Sequence, residues 1–145
     1  MKELNILDTA IRSGVFQTFT RLLEGSTLEQ KLRTESFFTL FAPLDIAFAY
    51  LSPVTLHQLL RAENQGKLAD VLGYHCLSRQ ITSHQLQHLE SAQTICGLEL
   101  VITSDEGLRV NGARILHLDI YARNGVIHGI DRLLLPTLKT QSARA

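Results

Sequence analysis

Tryptophan is absent from this sequence, methionine occurs once and cysteine only twice. Two cysteines in 145 residues cannot build the disulfide framework of a small secreted scaffold. An excess of either charge is missing too, because 14 Lys and Arg balance 14 Asp and Glu. A neutral chain has no global field to draw it to nucleic acid or to an anionic membrane. No apolar run reaches the ~18 residues of a membrane span. The start, Met1-Lys2-Glu3, leads into an amphipathic pattern broken by Asn5, Asp8, Thr9, Arg12 and Ser13. It lacks the uninterrupted apolar stretch of a secretory signal, so the chain, taken as complete, is expected in the cytoplasm. No Gly-rich loop has the spacing of a P-loop or a dinucleotide fingerprint. There is no internal repeat, no low-complexity tract and no linker.

What is present is a globular balance, 45% hydrophobic and 19% charged. A disordered chain would show low hydrophobicity and high net charge. The length fits one domain, and a chain of this size can bury roughly 70% of its unfolded surface. One domain is expected over residues 1–137, followed by a polar tail over 138–145.

The first half reads as helix. Leu4, Leu7, Ala10 and Ile11 recur at helical spacing and stop at Ser13-Gly14. Val15, Phe16, Phe19, Leu22 and Leu23 form a second apolar face that ends at Gly25, and Thr27 to Leu32 adds a short turn of helix. Phe37 to Ala42 is short, aromatic and bounded by Ser36 and Pro43, which suits a buried strand. Asp45 to Leu51 reads as helix. Ser52-Pro53 restarts one with Leu56, Leu59 and Leu60 inward, and Leu68, Val71 and Leu72 belong to another. Arg61 and Lys67 read as a solvated face.

The second half reads as strand. Tyr74 to Leu77 and Ile95 to Thr103 are short apolar or alternating runs, and one helix, Ser83 to Leu89, interrupts them. Asp105-Glu106-Gly107, Asn111-Gly112 and Asn124-Gly125 are turn signals, because Asn and Gly tolerate positive φ. Ile115, His117, Asp119 and Tyr121 alternate with Leu116, Leu118 and Ile120 before the apolar run Val126 to Ile130. Helices first and strands later predict an α+β fold.

Candidate chemistry is thin. His84 and His88 share one helix face, but a zinc site needs further ligands and none has diagnostic spacing. The pair reads as a surface feature, and no metal or other cofactor is expected. Cys76 sits in an apolar run, where a thiol is a small core residue, and Cys96 precedes Gly97 at a strand bend. Both are expected as free thiols, unless the fold brings their Cα atoms within ~7 Å. Tyr74 and His75 lie where a helix gives way to a strand, with the ring packed and the imidazole hydrogen-bonded. His128 interrupts an apolar strand. A buried imidazole needs partners for both nitrogens, so His128 is expected to tie a neighbouring loop to the sheet. No catalytic set emerges.

These segments together resemble the fasciclin-like domain family, from about Leu4 to Pro136. Phe37-Phe38-Thr39-Leu40-Phe41-Ala42-Pro43 with Ala47-Phe48 and Leu51 resembles its first signature, and Leu7-Asp8-Thr9-Ala10 its first helix. Leu72-Gly73-Tyr74-His75 resembles its central Tyr-His element. Val110 to Ala113, Asp119-Ile120, Asn124 to Asp131 and Leu134-Leu135-Pro136 resemble its second signature.

The resemblance implies a wedge of N-terminal helices packed on a bent, mostly antiparallel sheet. It implies a non-catalytic adhesion or interaction module that binds a protein or a surface polymer. Carriage of a small apolar ligand such as a carotenoid is the alternative that some algal relatives imply. In animal members the Tyr-His and Asp-Ile elements are linked to integrin binding. The matching positions are Tyr74, His75, Asp119 and Ile120. Phe41, Pro43, Asn124, Gly125, His128 and Asp131 would carry the fold. Family members are commonly extracellular or periplasmic.

Overall fold

Asn5 opens the first helix: its side-chain oxygen accepts the Asp8 N–H at 2.8 Å, and Gly14, at φ 80°, closes it. The computed structural model describes residues 4–26, 28–35, 37–50, 52–54, 57 and 65–134. Helix α1 (Ile6–Ser13) buries Ile6, Leu7 and Ala10, and α2 (Gln17–Leu23) buries Phe19, Thr20 and Leu23. Helix α3 (Leu28–Thr34) buries Leu28 and Leu32. Arg33 on α3 reaches Asp8 on α1 at 2.6 Å, a half-exposed pair that orients the helices and adds little energy.

Strand β1 (Phe38–Pro43) follows, then a 3-10 helix over Asp45–Tyr50. Helix α4 (Gln65–Gly73) leads into β2 (Cys76–Leu77), and α5 (Ser83–Leu86) precedes β3 (Ser91–Gln93) and β4 (Glu99–Thr103). A hairpin of β5 (Arg109–Val110) and β6 (Ala113–Ala122) then turns into β7 (Gly125–Ile130). The seven strands form one sheet in the order β2-β1-β7-β6-β5-β4-β3. Only β1 and β7 run parallel, so the sheet is mostly antiparallel and the fold is α+β, as expected.

Strands β1 and β7 are buried at every position. Leu40, Ala42 and Ile127 face the helices α1 to α3. Phe41 and Ile130 face the other way and meet Leu86, Leu100, Ile102 and Val110. Residues of β4 and β5 can reach that second face only if the sheet curls over itself, which is the bend of the wedge.

Several expectations shift. Tyr74 and His75 lie in the turn that closes α4, and only Cys76 and Leu77 pair as strand. The run expected as strand from Ile95 starts at Glu99, because Gly97 at φ 96° turns the chain first. Strand β3 had no signal, being three residues with a single buried side chain. Helix α5 ends at Leu86, three residues early. The alternation in β6 breaks at two register shifts between Ile115 and Ile120, so Ile120 packs on the helix-side core and Tyr121 points outward. The expected inward Leu56, Leu59 and Leu60, the side chains of Arg61 and Lys67, and the tail over 138–145 lie outside the described residues.

Candidate functional site

The Tyr-His element is built by the end of α4. The Tyr74 N–H bonds Asp70 O at 2.9 Å and the His75 N–H bonds Leu72 O at 3.1 Å, which drives both side chains into the core. Both residues are fully buried and present no surface to a partner. The Tyr74 hydroxyl accepts from Asn111 Nδ2 at 2.7 Å and donates to Glu99 O at 3.3 Å. Asn111 in turn accepts the Val101 N–H at 2.7 Å, so one phenol ties α4 to β4 and to the β5–β6 turn. Tyr74→Phe leaves the Asn111 amide without its acceptor. We expect a loss of about 1–2 kcal/mol in urea unfolding with secondary structure unchanged; an unaltered midpoint would show that the phenol bonds carry no weight.

The His75 tautomer follows from its neighbours. The Leu134 N–H donates to Nε2 at 2.9 Å, so the proton is on Nδ1, which donates to Val71 O at 2.7 Å. The His75 carbonyl accepts the Phe41 N–H at 2.8 Å. Burial pushes the imidazole down to about 4, against the pull of the Val71 carbonyl.

His128 and Asp119 form a second unit. Asp119 has φ +57°, in the left-handed region that non-glycine residues seldom occupy, and it lies where the β6 register shifts. This kink aims its N–H at His128 Nδ1, at 3.1 Å, and its carboxylate at Ser83. The carboxylate accepts the Ser83 N–H at 2.8 Å and the Ser83 hydroxyl. His128 therefore carries its proton on Nε2 and donates it to Ile81 O at 2.8 Å. Thr39 completes the clasp, donating to Arg79 O at 2.7 Å and accepting the Ile81 N–H at 2.7 Å. The loop over residues 79–83 is thus stitched to β1, β7 and β6, and the loop-tying role expected of His128 is observed. Burial lowers the His128 pKa; the Ile81 carbonyl and the Asp119 charge oppose it. Asp119 and Ile120 are both half-buried.

Asn124 and Gly125 act differently from a simple turn. Asn111 and Gly112 do adopt positive φ, at 50° and 85°, but Asn124 and Gly125 do not. Asn124 is buried, and its amide joins three elements. Oδ1 accepts the Ile6 N–H at 2.8 Å, and Nδ2 donates to Leu32 O at 2.9 Å and Glu35 O at 2.6 Å. Gly125 is required by space, since a Cβ there would lie 2.2 Å from Phe38 O. Phe41 is buried with its ring 5.7 Å from that of His128, and Pro43 is buried opposite Ile130. Asp131 Oδ1 accepts the Arg114 N–H at 2.8 Å.

His84 and His88 are exposed, ring edge to ring face with centroids 5.2 Å apart. Among the described residues no cluster of three or more His, Cys, Asp or Glu is placed to hold a metal. Both cysteines are free, Cys76 in the core and Cys96 with its sulfur 3.3 Å from Thr94 Oγ1. Thr39, Ser83 and the clasping role of Asn111 escaped the sequence reading. Thr39 carried the same signal as His128, a polar residue inside an apolar strand. Ser83 and Asn111 carried none, because their partners are 36 and 37 residues away.

Residues 14–136 match the family model of the fasciclin domain. Protein sll1483 of Synechocystis sp. is 36% identical over 136 residues, covering 93% of this chain and 75% of that protein. Protein sll1735 of the same organism is 34% identical over 131 residues, covering 90% of this chain and 97% of that protein. The transforming growth factor-beta-induced protein ig-h3 of Oryctolagus cuniculus is 30% identical over 132 residues, covering 90% of this chain but only 19% of its own length. Among solved structures, a FAS1 domain pair from the insect cell adhesion molecule fasciclin I superposes with TM-score 0.79 at 18% identity, covering 91% of this chain and 51% of the other. With the helix-on-bent-sheet architecture and the three ordered sequence blocks, these matches place the chain in the fasciclin domain family.

Proposed function

We propose that this domain is a non-catalytic adhesion or interaction module that binds a protein or a surface polymer. One observation carries the reading. Strand β6 turns Leu116, Leu118 and Tyr121 outward, at 48%, 43% and 57% exposure, around the kink at Asp119. Clustered apolar side chains on a soluble surface mark contact sites. The polar groups of the family blocks support the same view. Tyr74, His75, Asp119, Asn124 and His128 are engaged by internal hydrogen bonds, and among the described residues no buried side-chain N or O lacks a partner.

In this reading Tyr74 and His75 position the sheet from within. Asp119 and Ile120 form the kink that presents the outward residues. The adhesion context named for fasciclin I agrees with it. No observation favours a carrier of an apolar ligand.

The test uses beads coated with the full chain and with the double variant Leu118→Ser, Tyr121→Ser, presented to cell-surface and matrix preparations. Wild-type beads should adhere, and the variant beads should not, at equal thermal midpoint. Equal adhesion by both would overturn the assignment to β6.

A further inference from the structure

We propose that the row Arg109, Arg114 and Arg132 is a docking stripe for an acidic polysaccharide, a polymer bearing carboxylate or sulfate groups along its length. The proposal rests on the interaction-module reading and names the chemistry of one partner.

The stripe begins in the β5–β6 hairpin, where Arg109 faces Arg114 directly across the strands. The Arg114 N–H and carbonyl both turn to Asp131, at 2.8 and 3.1 Å, and away from Arg109. The two arginines therefore occupy a non-hydrogen-bonded pair, where facing Cα atoms come within about 4.5 Å. Like charges directly opposite each other cost stability, so folding alone does not favour this choice.

Asp131 is next in the row, with Arg132 Nη1 3.5 Å from its carboxylate. The Arg132 guanidinium lies 3.6 Å above the exposed ring of Tyr50. Of the three guanidinium groups only that of Arg132 reaches the Asp131 carboxylate, and the row ends on an aromatic ring. Neither Arg109 nor Arg114 pairs with a carboxylate among the described residues. Arg109 Nη1 donates to Gly112 O at 3.4 Å, and the exposed Asp105 and Glu106 in the preceding turn make no ion pair with it.

The whole chain is formally neutral, so this local excess comes from placement and not from composition. Two strand steps from β5 to β7 span about 10 Å, a distance that suits repeated anionic groups better than one small ion. The planar guanidinium fork pairs with oxyanions two oxygens at a time. Nucleic acid is the less suitable polyanion. Tyr50 is the ring beside the stripe and Arg132 already covers one of its faces, which leaves little stacking for bases.

The decisive experiment is affinity chromatography on heparin and polygalacturonate, with dextran as the neutral control and poly-U RNA as the rival polyanion. Wild-type protein should be held by the two acidic polysaccharides at low salt and released by added salt. Arg109→Glu replaces a like-charge pair with an opposite pair. Its thermal midpoint should hold or rise while its affinity falls about tenfold or more, the loss expected for one charge-assisted contact. Arg114→Gln, which relieves the like-charge pair without setting a second carboxylate beside Asp131, should lose affinity in the same way.

Absence of wild-type retention, unchanged retention of both variants, or RNA held as tightly as polysaccharide would each overturn the stripe. The broader reading is judged separately. If the stripe fails while adhesion stays sensitive to Leu118→Ser, Tyr121→Ser, the module stands and only its polysaccharide partner falls.

Discussion

Gly125→Ala should be the most damaging glycine-to-alanine change among the described residues. The added Cβ would lie 2.2 Å from Phe38 O and 3.0 Å from Ile6 Cδ1. The first neighbour is main chain of β1, held in register with β7 from Phe38 to Pro43, so it cannot step aside alone. Relief would require parting β1 from β7 or lifting α1 from the sheet. The first movement breaks the bond from the Phe38 N–H to Asn124 O, and the second the bond from the Ile6 N–H to Asn124 Oδ1.

We expect a loss of about 4 kcal/mol or more, at the exceptional end of point-mutant effects. Gly129→Ala is the matched control. Its Cβ would meet the His117 Cβ and the Phe16 ring at 3.2 Å, side-chain neighbours that can yield by a few tenths of an ångström. Its cost should be about 1–3 kcal/mol, in the range of ordinary overpacking. Urea denaturation of both variants gives the ranking. A Gly125→Ala protein within about 1 kcal/mol of wild type would refute the close-approach account.

The second large effect is acid sensitivity. His75 and His128 are held neutral by an N–H donor on one ring nitrogen and a carbonyl on the other. Protonation would place a ring N–H against the Leu134 N–H or the Asp119 N–H. With the His75 pKa lowered from 6.5 to about 4, the unfolded chain binds the proton that the folded chain refuses. Between those values the unfolded state holds more protons, so stability rises with pH. The full contribution is present above pH 6.5. It is lost as pH falls toward 4, by about 3 kcal/mol for His75. His128 adds in the same direction over the same side of 6.5.

Urea unfolding at a series of pH values should show the midpoint falling steadily across this window. A flat profile between pH 6.5 and 4 would mean that the imidazoles are not held as described.

Much of this was legible in the chain because it is local. The helix stop at Gly14, the turn at Asn111-Gly112 and the buried strand Phe38–Pro43 depend on neighbours in sequence. The loop-tying role of His128 was legible for another reason: an imidazole in an apolar strand has to be satisfied, whoever its partners are. The register shifts of β6 were not legible, because Ile115 to Tyr121 fits strict alternation equally well. The Asn124 clasp was hidden behind its own dipeptide. Asn-Gly reads as a positive-φ turn, whereas its use here is set by carbonyls on α3 and by a strand 87 residues earlier. Burial of Tyr74 and His75 was half legible: the junction was evident, but its complete enclosure depends on β4, the β5–β6 turn and Leu134.

The parallel pairing of β1 with β7 also dictates when the molecule can form. Phe38 must find Gly125, and the Ile6 N–H must find a side chain 118 residues away. Closing such distances costs chain entropy before any contact repays it, which slows folding. During synthesis the helices and β1 emerge first, and β1 waits with an apolar edge exposed until β7 leaves the ribosome. The domain therefore completes its fully buried strand pair last, and a chain truncated before Gly125 would lack the strand that joins β1 to β6.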